Sequence, residues 1–230
     1  MRWLALLLLF VLTASAVPQE KVFLVTGFER VRVDGPFAVD ILSGPSRATA
    51  TGDARQLERL VVRVDGGTLV ITPGVQTGTR TQSEAGALPR ITLSTPAIHG
   101  LLVNGGGQVR VAEMRGTRVD LALNGGGTID VGALQSDDLN LTVIGTGRVT
   151  ASGNSRRGRV RLSGPGTIDA AGLQIGDGTI ISESAGEVKL GVRYTVRVFA
   201  MGLGKVTIGG TPECKISGPG PVECAGRIVR

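Results

Sequence analysis

Histidine occurs once in this 230-residue chain, as His99 in T-P-A-I-H-G. That excludes His-rich metal centres and leaves any Ser-His-Asp arrangement dependent on one residue without ligand spacing, so a structural or exposed role is expected for it. Aromatic residues make up only 3%, five Phe with one Trp and one Tyr, which removes the stacking platforms of a single-strand nucleic-acid binder. Runs of Leu, Glu, Lys and Ala with a 3.6-residue period are missing, which excludes a helical architecture. Long apolar runs are missing too, apart from one at the N-terminus.

That run follows Arg2, reads W-L-A-L-L-L-L-F-V-L and gives way to Ala14-Ser15-Ala16. Basic, apolar and small-residue regions in this order are those of a secretory leader, with cleavage after Ala16 and a mature chain from Val17. The alternative is an uncleaved anchor, but the run is short of the ~20 residues a spanning helix needs. No Cys lies nearby to carry a lipid. The expected product is an exported, soluble protein, periplasmic or extracellular at the cell surface, with no integral membrane segment after cleavage. Removing Arg2 lowers the formal charge from +6 to +5, a mild bias and not a nucleic-acid stripe.

What the chain does have is glycine, 36 residues of 230, about twice the usual ~7%, together with 41% hydrophobic residues. The glycines recur. Units read L-L-V-N-G-G-G-Q-V-R-V from Leu101, L-A-L-N-G-G-G-T-I-D-V from Leu121, L-T-V-I-G-T-G-R-V-T-A from Leu141 and V-R-L-S-G-P-G-T-I-D-A from Val160. Weaker copies turn at Gly186, at Gly202 and Gly204, and at Gly218 and Gly220. The last turn glycines, from Gly107 through Gly127, Gly147 and Gly166 to Gly220, step by 20, 20, 19, 20, 18 and 16 residues, marking seven stacked units. A period of this size, with strand alternation on both sides of each turn, predicts an all-β parallel solenoid of about 20 residues per coil. Gly105, Gly125, Gly145 and Gly164 open the strong turns, and φ > 0 with no room for Cβ is the expected reason for glycine at the turns.

The alternation also assigns faces. Leu121, Leu123, Ile129 and Val131 point inward; Ala122, Thr128 and Asp130 point out. Equivalent positions then form columns: Arg110, Asp130, Thr150, Asp169, Lys189, Thr207 and Glu223 in one, Gln108, Thr128, Arg148, Thr167, Glu187, Lys205 and Pro221 in another. Asn104 and Asn124 precede two turns and can form an amide ladder. The N-terminal half repeats the strand-turn pattern around Gly35 and at Gly66-Gly67, with one helical turn expected after Asp53 as N-cap and an excursion over residues 72–88.

Candidate chemistry is sparse, and no cofactor is expected. The turns lack the serial G-G-x-G-x-D of calcium-binding rolls, and strands rather than helices follow them, so they are not phosphate cradles. Asp130 and Asp169, two coils apart, would stand about 9.6 Å from one another, near the upper carboxylate separation of inverting glycosidases. Against an enzyme, Arg110 and Lys189 flank them and the column is exposed. The one cationic concentration is Arg156, Arg157, Arg159 and Arg161, read as a longer inter-strand loop joined by Arg148. It is either an anion-binding patch or a solvated loop. Cys214 and Cys224 flank the last turn at the inward positions of Leu121 and Val131. In an exported chain they are expected to pair, although sheets about 10 Å apart would have to converge.

The opening F-E-R-V-R-V-D-G-P-F-A-V-D-I, the G-D-A-R-Q-L-E-R-L-V-V-R-V-D-G-G-T-L-V-I segment, the stacked N-G-G-G and S-G-P-G turns and the closing G-G-T-P-E-C-K-I-S-G-P-G-P-V-E-C-A-G resemble the putative auto-transporter adhesins with a head GIN domain. The resemblance runs from about Phe28 to Gly226. It implies a secreted parallel β-helix without known catalytic residues and a role in adhesion. The chain departs from the auto-transporter idea in ending G-R-I-V-R with no membrane-barrel translocator. The expected organisation is a leader at 1–16, a lead-in at 17–27 and one solenoid domain at 28–230. The expected function is non-enzymatic adhesion or envelope binding, with cell-envelope polysaccharide or a surface protein as partner; the alternative is a polysaccharide-binding or polysaccharide-degrading β-helix.

Overall fold

The computed structural model describes residues 19–74 and 88–229. The leader, the cleavage point and the middle of the 72–88 excursion lie outside the described residues. With 71% strand and 3% helix, the chain is a β-solenoid of stacked parallel coils, about six turns spaced about 20 residues apart.

The chain begins with β1 (Gln19–Phe23), β2 (Arg30–Asp34) and β3 (Ala38–Ser43), followed by β4 (Arg47–Gly52), the helical turn α1 (Ala54–Arg59), β5 (Leu60–Asp65) and β6 (Thr68–Pro73). After the excursion come β7 (Arg90–Thr95) and β8 (Gly100–Asn104). Five long strands then wind from one glycine turn to the next: β9 (Gln108–Asn124), β10 (Thr128–Ile144), β11 (Arg148–Ser163), β12 (Thr167–Ser182) and β13 (Glu187–Ala200). The short β14 (Val206–Gly210), β15 (Glu213–Ser217), β16 (Val222–Cys224) and β17 (Arg227–Val229) close the stack.

Every winding pairs in parallel with the next, so the register puts Val109, Ile129, Val149, Ile168 and Val188 in one inward column. Leu101, Leu121, Leu141, Val160 and Ile180 form another. All are at most 3% exposed, and burying each contributes about 1.5–3 kcal/mol. The long strands bend midway, which adds a third wall. Met114, Leu134 and Leu173 point inward from it, so the coil is three-sided and not a pair of facing sheets.

The N-terminal segment winds out of sequence order. β2 and β3 form two walls of a coil around Gly35, stacked on β8 and the first part of β9. On its other side lie β6 and β7, so the first coil is covered by chain that comes later. Antiparallel β5, β4 and β1 then extend this cap, protecting a sheet edge that would otherwise stay open. Asp53 caps α1 as expected, accepting from the Arg55 amide at 2.9 Å, and Leu57 is buried.

The paired glycines of each turn have different reasons. Gly105, Gly125, Gly145 and Gly164 have φ of +93°, +117°, +112° and +107°, and Gly218 has +100°, where side chains are strained. Gly107, Gly127, Gly147, Gly166, Gly202, Gly204 and Gly220 are not left-handed, contrary to the expectation for every turn glycine. Among them Gly147 is typical: a Cβ there would stand 2.5 Å from Leu123 Cδ2 and 2.7 Å from the carbonyl of Gly127 in the coil before. Stacked turns approach so closely that the backbone of one coil occupies the space a side chain would need.

The final turn departs from the pattern. Cys214 and Cys224 are joined, with Cα atoms 6.7 Å apart. Cys224 pairs with Ile208 in the Val131 column as expected. Cys214, however, pairs with Val196, in the column of Val119 and Leu139, one inward step before Leu121. The last turn is tighter than its predecessors, which shifts β15 relative to a count made back from Gly220.

Candidate functional site

The carboxylate column is built as the periodicity requires. Asp130 pairs with Thr150 and Thr150 with Asp169, while Arg110 and Lys189 occupy the flanking coils. Thr150 donates to Asp130 at 2.8 Å and Lys189 reaches Glu187 at 3.2 Å. Asp40 extends the column beyond Arg110, and Arg90 stands 3.7 Å from Asp40. Arg148 lines the same furrow. This is an exposed, charge-alternating surface without the dry enclosure a catalytic acid requires. His99 immediately precedes β8, against Gly116 and 3.7 Å from a Glu29 carboxylate. No group of three or more His, Cys, Asp or Glu that could hold a metal occurs among the described residues.

The arginine cluster does not form a loop. Residues 148–163 are one continuous strand, because the hydrogen-bonded register with β10 and β12 carries through the corner. Arg148 therefore sits on a different wall from the others. Arg157 forms a two-pronged pair with Asp138 of the preceding coil, at 2.7 and 2.8 Å. The hydrogen bond that Arg157 donates to Asp138, reinforced by the charge of that carboxylate, pushes the guanidinium upward. Arg156 meets Asp137 at 3.3 Å and Arg161 meets Glu183 at 2.9 Å. The whole column Arg118, Asp138, Arg157, Asp177 alternates in sign and neutralises itself.

One column escapes this rule. It starts neutralised: the Asp120 carboxylate is partly desolvated, but hydrogen bonds from Asn140 and Arg118, with the charges of Arg118 and Arg30, outweigh that and hold it below the usual carboxylate range. Asn140 follows, and then come Arg159, Thr179, Arg197 and Lys215 on successive coils. These three cations are exposed, and none has a carboxylate within ion-pair distance among the described residues. Arg197 and Lys215 are direct neighbours on adjacent strands. Like charges directly opposite one another on neighbouring strands are destabilising, and an anion bound along the row would relieve that repulsion. Arg159 was legible in the sequence; Arg197 and Lys215 were not, since coil steps vary in this part of the chain.

Along the adjoining corner runs a larger groove of about 910 Å³. Its walls include Gln135, Asn154 and Gln174, in register on three coils, and Tyr194.

The fold is shared with known proteins. The family model described as putative auto-transporter adhesin, head GIN domain, matches residues 27–212. No curated protein matches the chain. Among solved structures, a putative adhesin from Bacteroides fragilis is similar with a TM-score of 0.80 at 17% identity, covering 94% of this chain and 98% of its own. A putative lipid binding protein from Parabacteroides distasonis has a TM-score of 0.67 at 18% identity, with coverage of 94% and 98%. A putative adhesin from Parabacteroides merdae has 0.65 at 13%, with 94% and 97% covered. At these identities the likeness is one of fold.

Proposed function

This chain belongs to the family of putative auto-transporter adhesins with a head GIN domain, and from that premise we propose that it is an exported, non-enzymatic β-solenoid that binds acidic material at the cell surface or envelope. The observation that carries the reading is the uncompensated row Arg159, Arg197 and Lys215, on a wall whose neighbouring column neutralises itself. A linear polyanion such as an acidic envelope polysaccharide can follow the row across three coil steps, roughly 14 Å at the usual strand spacing. An acidic surface protein is the other partner of the same charge. Export rests on the N-terminal leader pattern, and no helix among the described residues is long and apolar enough to cross a membrane. The solved structure described as lipid binding suggests anionic headgroups as a competing ligand for the same cations.

The test is binding of polygalacturonate to the exported protein across salt concentrations, with anionic and neutral lipid vesicles as a parallel arm. Replacing Arg159, Arg197 and Lys215 together by Gln should weaken binding and flatten its salt dependence, because exposed attraction is screened over about 8 Å at physiological ionic strength. Replacing Arg156 and Arg157 by Gln should do less, since Asp137 and Asp138 already neutralise them. Preference for the anionic vesicles would move the ligand class to lipid. Depolymerisation that disappears when Asp130 and Asp169 are both changed to Asn would replace the adhesive reading with an enzymatic one.

A further inference from the structure

The corner groove differs chemically from the cationic row beside it. Three of its four arginines are matched, Arg156 and Arg157 by Asp137 and Asp138 and Arg115 by Glu113 at 3.7 Å, while Arg193 has no carboxylate within ion-pair distance among the described residues. What it presents instead is a column of side-chain amides, Gln135, Asn154 and Gln174, repeating at the coil spacing of about 4.8 Å. Neither glutamine makes a side-chain hydrogen bond among the described residues, and Asn154 only accepts one from Arg193 at 3.4 Å. Each amide therefore keeps donors and, for the glutamines, an acceptor facing the groove. Beside the first two amides, Ser136 and Ser155 are buried and the Ser136 hydroxyl donates to Ser155 at 3.0 Å; Ile175 follows them in register beside Gln174.

At one end the strand has been rebuilt to present an aromatic ring. Ile175 pairs with Val192 and Asp177 with Thr195, so Arg193 and Tyr194 together oppose the single residue Gly176. This is a β-bulge, a device that re-aims side chains. Tyr194 is the chain's one tyrosine, and it stands 65% exposed on the groove wall. The bulge compensates in part for a shortening of the same coil, where Ala170 pairs with Leu190 but Gln174 already pairs with Gly191. That shortening accounts for a bulge and does not account for an aromatic residue at its crest, where a polar side chain would be better solvated.

We propose that this groove binds an extended polysaccharide of pyranose rings lying along the solenoid axis, with Gln135, Asn154 and Gln174 contacting hydroxyls of successive sugars and Tyr194 stacking on a ring at the end. Coil spacing is close to the repeat of sugars in an extended chain, so one amide serves about one ring. Free amides and an exposed aromatic face are groups that recognise hydroxyl-bearing rings; with one unmatched arginine against three unmatched cations in the row, this groove is the weaker anion site. A protein partner would require a desolvated apolar centre, which a groove walled by amides and ion pairs does not offer.

The inference rests on the binding reading above but not on the cationic row, and uncharged probes separate the two. The exported protein would be titrated calorimetrically with neutral cello-, xylo-, laminari- and mannohexaose. At least one should bind, with little salt dependence and no change when Arg159, Arg197 and Lys215 are replaced by Gln. Tyr194→Ala and Gln174→Ala should each weaken it by roughly tenfold, about 1.4 kcal/mol, and Tyr194→Phe should retain most of the affinity. Tyr194 is exposed and Gln174 half-buried, so thermal unfolding of both variants is measured alongside to show that the fold is retained. No binding of any hexaose at concentrations up to about 10 mM, or binding indifferent to Tyr194→Ala and Gln174→Ala, overturns the proposal whether or not polygalacturonate still binds the row.

Discussion

Asn124 donates its side-chain amide to Asn104 at 3.0 Å, and Asn104 donates in turn to Asp34 at 2.6 Å, so one polar ladder ties three coils together just before their turns. Its first step joins residues 70 apart in sequence, fastening the out-of-order first coil to the regular stack. Ile144 takes the next position and ends the ladder.

Asn104→Ala should therefore cost more than Asn124→Ala. The former removes two bonds, one to a carboxylate, for about 2–3 kcal/mol; the latter removes one neutral bond for about 1 kcal/mol. Equilibrium denaturation of the two variants decides the order. Equal losses would mean that the Asp34 contact contributes nothing.

The two turn glycines should fail for separate reasons and both severely. Gly125→Ala forces a side chain to φ of +117° and puts Cβ 2.7 Å from the carbonyl of Gly105. Gly127→Val meets no backbone strain but drives its side chain into the carbonyl of Gly107. Each should cost more than about 3 kcal/mol, and Asp130→Asn, on the surface, less than about 0.5 kcal/mol. Thermal unfolding showing Gly127→Val within that surface range would contradict the stacking distances.

The coil, its inward columns, the Asp130 column and the asparagine ladder were legible because equal spacing between glycine turns fixes register without further information. Legibility failed where spacing changes. Cys214 sits one inward step from its expected column because the last turn is shorter, and Arg197 and Lys215 align with Arg159 through coils whose steps have shrunk. The re-entry of β6 and β7 beneath β2 and β3 has no period to reveal it. The run S-R-R-G-R-V-R reads as a loop because its charges break strand alternation. At a corner, adjacent residues such as Arg156 and Arg157 can both face outward while the hydrogen bonds continue.

The disulfide should matter locally. Closing ten residues of separation between Cys214 and Cys224 removes freedom from the unfolded chain worth about 2–3 kcal/mol in the loop-entropy account. Reduction is a cleaner test than substitution, since Cys214 is fully buried and its thiol still fills the Val119–Leu139–Val196 column when reduced. The final coil has little else to hold it: β16 and β17 have three residues each, and Arg227 reaches Glu213 at 2.7 Å across an exposed surface. In a solenoid each coil rests only on its neighbours, so loosening the last one should propagate a coil or two and then stop. Hydrogen exchange after mild reduction should accelerate at the amides of β15, β16 and β17 and leave β10 and β11 unchanged. Uniform acceleration along the stack would mean that the end coil is a keystone of global stability, and no acceleration at the end would mean that packing of Cys214, not the bond, holds it in place.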